Sequence, residues 1–265
     1  ASVMIKELTD EHVALYLDRI GVEASSVTVD HDGLAALQYA HLTSVPFTNL
    51  DVYDHLPVTT SLDWSLPAVL AGRGGWCFVL NGVFAALLEA LNFRIARMSA
   101  LVVLTDTPSP MEDHLCIRVD LDEPWLIDVG FGESFTRPLP LNSDAVVNDV
   151  AAGRRFRLTK RNDGRRQLES EQHVGGEPHW RADYHFAADS RELADLSDAN
   201  DYLCATSGLS WTEKRFSTRL TDDGRVTLLH DRIKFTPRYG NEHVVTLNDE
   251  AAWEAARQRH LPTPT

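Results

Sequence analysis

Residues 73–91 read RGGWCFVLNGVFAALLEAL, and this stretch decides how the rest of the chain is arranged. After Trp76, apolar side chains recur at Leu80, Phe84, Leu87, Leu88 and Leu91, the spacing of one buried helical face. Phe78, Val79, Val83, Ala85 and Ala86 widen that face until little polar surface is left. A helix apolar on most sides belongs in the middle of a domain. Cys77 falls in its first turn, just after the pair Gly74–Gly75, which lets the backbone turn sharply. Unpaired N–H groups at a helix start favour negative charge, and so a thiolate. A lone cysteine there is more often simply a small buried core residue. A nucleophile needs a histidine and a third group to orient it.

With 265 residues, 43% hydrophobic and 24% charged, the chain has the make-up of an ordinary globular protein with a sizeable core. Its length fits one large domain or two to three small ones. The 39 acidic residues outnumber 25 Lys and Arg, for a net charge of −14. Sustained contact with nucleic acid is not expected of such a surface, though a local pocket for a phosphorylated substrate remains compatible with it. Cys77, Cys116 and Cys204 are widely spaced and form no CxxC pair, so neither a disulfide framework nor a metal site is indicated. The opening ASVMIKELTDEHV has no apolar run of signal-peptide length, and no run approaches the roughly 20 residues of a membrane span. A reducing cytoplasm is the expected setting.

Three regions follow from the change of hydrophobic period: 1–90, 91–195 and 196–265. In the first, Thr9 caps a helix with Val13, Tyr16, Leu17 and Ile20 on its buried stripe and Gly21 at its end. A second helix is predicted over 32–42, halted by Pro46, and a short one over Leu62–Leu70. From residue 93 the period turns β-like. Strands are predicted at Ile95–Leu104, His114–Val119 and Trp125–Val129, then at 153–159 and 165–170 around the hairpin signal RNDG, and at Tyr184–Ala187. This reads as a mostly antiparallel sheet curling toward a barrel. Residues 189–203 cross to a last region, with strands at 215–220, 225–230, 232–236 and 243–247 and a helix capped by Asn248.

The middle sheet supplies what Cys77 needs. His114 and Asp128 lie on strands joined by the loop DLDEP, and both numbers are even. If residues 119 and 125 close the hairpin, Asp128 is the diagonal neighbour of His114. In another register the two face each other directly. Both arrangements put imidazole and carboxylate on one face, because side chains alternate with period two. Sulfur as nucleophile, imidazole as base and carboxylate as orienting group form a complete set for nucleophilic catalysis.

Together, RGGWCFVLN, DHLCIRV and WLIDVGFG resemble the arylamine N-acetyltransferases, with cysteine, histidine and aspartate in that family's order. The likeness extends to YLDRI at 16–20, LAALQYAHLTSVPFTNL at 34–50, NDYLCATSGLSWTEKRF at 200–216 and LLHDRIKFT at 228–236. It implies an α+β chain with an N-terminal helical bundle, a middle antiparallel β-barrel, a C-terminal α/β lid and a papain-like Cys-His-Asp site. It implies acetyl-CoA as acyl-donor substrate, with no permanently bound cofactor, and small aromatic amines or hydrazines as acceptors. By motif, Cys77 would carry the acyl group, His114 act as base and Asp128 orient it. Phe131 and Phe47 would wall the acceptor site. Gly130, Phe131, Gly132 and the 106–110 loop with Ser109 would lie near the acyl donor.

Two positions depart from the family pattern. PFENL appears as Pro46, Phe47, Thr48, Asn49, Leu50, without its glutamate, and Val79 replaces the acid or amide of RGG-x-C-x-E/Q. Arg73 therefore needs another partner if it is buried. Two other functions fit the same residues: an amide synthase of a biosynthetic pathway, and a non-catalytic aromatic-ligand binding protein. Oligomeric state has no sequence signal.

Overall fold

The computed structural model describes residues 4–104 and 108–261. Its helical part comprises α1 (Asp10–Ile20), α2 (His31–Ser44), the single turn α3 (Leu50–Tyr53), α4 (Leu62–Leu70) and α5 (Cys77–Ala90), with a two-residue strand β1 (Phe47–Thr48) between α2 and α3. Thr9 closes a capping box with His12 at the start of α1, and Gly21 ends that helix at φ 74°. Every residue of α5 from Cys77 to Leu88 is buried, as its apolar girth predicts. Each fully buried Leu or Phe there contributes roughly 1.5–3 kcal/mol of apolar burial.

Eight antiparallel strands follow α5: β2 (Arg94–Val102), β3 (His114–Asp120), β4 (Pro124–Ile127), β5 (Leu139–Pro140), β6 (Val147–Asp149), β7 (Arg154–Lys160), β8 (Arg166–Val174) and β9 (Glu177–Phe186). Their order, β5-β4-β3-β2-β9-β8-β7-β6, curls into a nearly closed barrel. Strand β3 is covered on both faces. Leu115, Ile117 and Val119 pack with α5 in the bundle core, while Cys116 joins Met98, Leu126, Phe156 and Tyr184 inside the barrel. The β3–β4 hairpin pairs Val119 with Trp125, so the first of the two registers is the one adopted.

The remaining elements are α6 (Ser197–Ala205), the single turn α7 (Ser210–Glu213), β10 (Ser217–Thr221), β11 (Gly224–Leu228), β12 (Arg232–Pro237), β13 (His243–Thr246) and α8 (Glu250–His260). Trp253 of α8 packs on Val226, Leu228 and Ile233. The cap of α8 is Asp249, whose carboxylate accepts from the Ala252 N–H, and not its neighbour Asn248. This sheet is completed by the early chain: β1 pairs with β10, Phe47 opposite Thr218. Among the described residues no helix is long and apolar enough to cross a membrane.

The junction at β1 is held by one side chain. Buried Asn49 donates through Nδ2 to the carbonyls of Trp211 and Lys214, both at 2.7 Å, and its Oδ1 accepts from the Phe216 N–H at 2.8 Å. Replacing Asn49 by Ala leaves those three backbone groups without their partner, an expected cost of about 1–3 kcal/mol in urea unfolding. Amide exchange should quicken at residues 211–216 in particular. Unchanged exchange there would rule out the latch.

Candidate active site

Strand β3 begins with His114, and Asp128 sits one residue beyond β4, where the chain leaves the barrel for the turn at 129–134. The imidazole Nε2 lies 2.6 Å from Asp128 Oδ2, and both residues are buried. That contact leaves Nδ1 as the ring nitrogen available to other groups. Cys77, the first residue of α5, shares a cavity with His114. The thiol makes a long hydrogen bond, 3.8 Å, to the Asp113 carbonyl oxygen. Asp113 is itself fixed, because its carboxylate accepts from the Val102 N–H at 2.9 Å.

The Asp128 carboxylate is saturated with donors. Oδ1 accepts from Asn81 Nδ2 and the Gly130 N–H, each at 2.8 Å; Oδ2 accepts from the Tyr184 hydroxyl at 2.8 Å as well as meeting His114. Burial pushes the carboxyl pKa upward, but the His114 charge and the hydrogen bonds from His114, Asn81 and Gly130 outweigh it and hold the group below its usual range. Burial likewise opposes charge on His114. The Asp128 charge and hydrogen bond, joined by a hydrogen bond and charge from Cys77, reverse that effect and raise the imidazole to about 10.

Asn81 and Tyr184 were absent from the sequence-derived site. Asn81 follows Cys77 by four residues, one helical turn, and besides Asp128 it donates to the Leu115 carbonyl and accepts from the Val129 N–H. It is the one polar side chain between Cys77 and Leu88, a signal that an amide in so apolar a helix has a buried partner. Tyr184 gave no such signal, because residues 177–183 of its strand are mostly polar. Gly130 is required for space: a Cβ there would stand 2.8 Å from both Cys77 Cα and Asn81 Nδ2.

The cavity encloses about 390 Å³, within the usual size of a small-molecule site. Phe47, Trp76, Phe131, Trp211 and Phe216 give it aromatic walls, and Lys214 and Arg215 also line it. The Phe131 ring stands edge-on to His114 with centroids 5.1 Å apart. Cys77, His114, Gly130, Phe131 and Phe47 are thus brought together. Gly132, at φ 94°, packs behind the wall near Phe47 and Thr218. Ser109 lines a different, polar cavity with Glu112, Arg165 and His185, and part of the 106–110 loop lies outside the described residues. Arg73 is exposed, not buried. It pairs with Asp51 at 3.4 Å and stands over the Trp64 ring at 5.4 Å, so neither Thr48 nor Val79 has to answer a buried charge.

A family profile described as N-acetyltransferase matches residues 30–261. The chain belongs to the arylamine N-acetyltransferase family. It is therefore an enzyme of the acyltransferase class. Over 253 residues it is 32% identical to an arylamine N-acetyltransferase of Escherichia coli K12, covering 90% of this chain and 84% of that one. It is 28% identical over 260 residues to the proansamycin X synthase of Amycolatopsis mediterranei, covering 94% and 96% of the two chains. The structure of the Mycobacterium marinum arylamine N-acetyltransferase in complex with CoA superposes with a TM-score of 0.82 at 28% identity, over 93% of this chain and 91% of that one.

The raised imidazole and depressed carboxyl make the His114–Asp128 pair a pH-dependent brace. The histidine's contribution to stability is complete below about pH 6.5, the ordinary imidazole value. It is lost as pH rises toward about 10. The share of Asp128 is present above the ordinary carboxyl range and lost as pH falls through its depressed value. Nitrogen NMR of labelled histidine should find the His114 ring still protonated at pH 8. A ring neutral at pH 7 would overturn this account of the pair.

Proposed function

We propose that this enzyme transfers an acetyl group from acetyl-CoA to the nitrogen of an arylamine or arylhydrazine through an acetyl-Cys77 intermediate. One observation carries the reading: a sulfur, an imidazole held from behind by the buried Asp128 and a set of aromatic walls meet at a single cavity. The imidazole beside Cys77 is placed to take and hold the thiol proton. The thiolate attacks the thioester carbonyl, and backbone N–H groups at the start of α5 suit the oxyanion that develops. As the intermediate collapses, the CoA sulfur leaves with the proton held by His114. The amine then attacks acetyl-Cys77, its proton passes to His114, and the amide departs as the Cys77–imidazolium pair is restored. Asp128 keeps Nε2 engaged, so that Nδ1 handles the proton throughout.

Aromatic acceptors suit the cavity for two reasons. Phe47 and Phe131 offer ring faces and edges for stacking, and an arylamine is neutral near pH 7, whereas an alkyl amine is mostly protonated. The CoA complex of the Mycobacterium marinum relative supports the choice of donor. A reducing compartment such as the cytoplasm suits a mechanism that needs Cys77 as a free thiol, and all three cysteines are unpaired. An amide synthase is the second reading, favoured by the near full-length match to proansamycin X synthase. It would use the same sulfur and imidazole on a larger acyl group.

Brief exposure to acetyl-CoA without amine should add one acetyl group to the protein, mapped to Cys77 and removed by an arylamine. Cys77→Ala should abolish the label while retaining the fold, since little volume is lost. Asp128→Asn should keep the thiol yet slow acylation by orders of magnitude. Normal turnover by Cys77→Ala would instead indicate direct transfer between bound donor and amine. In a panel at matched concentration, arylamines should lead alkyl amines by a wide margin; parity would shift the assignment toward the synthase.

A further inference from the structure

Behind the turn that carries Phe131 lies a further cavity, of about 140 Å³ and of different chemistry. Its walls come from three places: Glu133 and Ser134 of that turn, Arg154 at the start of β7, and Arg225 and Arg238 on and just after the β11–β12 hairpin. Three guanidinium groups meeting in one recess are notable in a chain whose net charge is −14. Only one of them is neutralised: Arg154 pairs with Glu133. Arg225 donates to the Thr218 hydroxyl at 3.0 Å, and Arg238 to the Asp222 carbonyl at 2.9 Å. Neither forms an ion pair among the described residues; the Asp222 carboxylate accepts from the Tyr39 hydroxyl at 3.1 Å.

Arg225 is the more telling of the two, because it is only 8% exposed. Taking a cation that far from water without a carboxylate is costly unless an anion meets it. Burial pushes its pKa down to about 10, while the charge of Glu133 opposes that shift and Arg154 adds to it. A separate feature points the same way. Ser134 lines the recess and is 7% exposed, and its buried hydroxyl has no hydrogen-bond partner among the described residues. Arg238 Nε is also buried without a partner among the described residues. Buried polar atoms are normally satisfied, and here unsatisfied donors gather around one space.

We propose that this recess is a binding site for a phosphate-type oxyanion, held by Arg225, Arg238 and the Ser134 hydroxyl. Charge selects the ligand class. Three guanidinium groups against the one carboxylate of Glu133 leave an excess of about two positive charges, which matches the roughly −1.5 to −2 of a phosphate or phosphomonoester at pH 7 better than the single charge of a carboxylate. Planar guanidinium forks also suit tetrahedral oxyanions, which can accept two parallel hydrogen bonds from each. The position gives the site a consequence. Glu133 and Ser134 directly continue Phe131–Gly132, so an anion bound here stiffens the turn whose other side walls the Cys77 cavity. Arg225 further bonds Thr218, the partner of Phe47 in the β1–β10 pair, so both aromatic residues of the acceptor wall are reached from the same recess.

Two sources carry this chemistry: free inorganic phosphate, and a phosphate group of the acyl donor. Titration calorimetry at constant ionic strength separates them, using inorganic phosphate, CoA, dephospho-CoA and pantetheine as probes. The CoA arm rests on the donor reading given above; the phosphate arm does not depend on any acyl chemistry. Inorganic phosphate should bind the wild-type protein saturably, and Arg238→Gln or Ser134→Ala should weaken it tenfold or more. Arg225→Gln should weaken it further, but because that residue is buried, the two milder variants carry the test if it fails to fold. Competition between CoA and phosphate, with CoA affinity falling in Arg238→Gln, identifies the donor's phosphate as occupant; loss of competition with dephospho-CoA narrows it to the 3′-phosphate. Simultaneous binding without competition identifies a free anion. Wild type and both milder variants behaving alike toward phosphate and toward CoA would overturn the site, whatever the fate of the acetyl-Cys77 label.

Discussion

The buried carboxylate of Asp128 is the constraint on which the centre of this molecule depends. An ion removed from water costs several kcal/mol even after the surroundings relax, and that cost is offset only by good partners. Asp128 has four, from four separate parts of the chain: Asn81 of α5, His114 of β3, Tyr184 of β9 and the Gly130 N–H of the adjoining turn. The carboxylate therefore fastens the helix that bears the sulfur to the strands that bear the imidazole. It also sets the imidazole's charge and aims Nδ1 toward the cavity. Packing alone would not fix such an alignment, because apolar contacts are non-directional.

Around this centre the chain departs from its family's usual sequence without leaving a charge stranded. Thr48 stands where a glutamate is usual, and its hydroxyl accepts from the Leu50 N–H. Val79 is buried, packed so closely that a Cβ on Gly75 would come within 2.6 Å of it. Arg73 pairs with Asp51 and stands over the Trp64 face, at a surface where ion pairs contribute modestly. The apolar Val79 and the exposed Arg73 are consistent with each other. With the cation at the surface, the interior beside Cys77 needs no anion.

Much of this was legible in the sequence, and the limits are physical. The girth of α5 could be read because a helix apolar on all sides has only one kind of environment. His114 and Asp128 could be placed on one face because the pleat has period two and a one-residue slip would part them. The Tyr184 strand was seen only at its inner end. Its outer half, 177–183, is held by the β8 ladder and by polar surface contacts such as Trp180 beneath Arg157, which leave no apolar alternation to detect. The β1–β10 pair and the Asn49 latch were invisible for another reason. They join positions far apart in sequence through a few hydrogen bonds, and no local period records that.

That long-range pair also bears on how the protein is made. Phe47 emerges from the ribosome early and its partner Thr218 late; at roughly 5–20 residues per second the interval is on the order of ten seconds or more. In that time the bundle and barrel can assemble, bringing sulfur, imidazole and carboxylate together. The wall formed by Trp211 and Phe216, and the strand that pins Phe47, do not yet exist. A nascent chain thus passes through a stage in which the Cys77 thiol and its imidazole are together but unscreened, until residues 211–218 follow and close the wall over them.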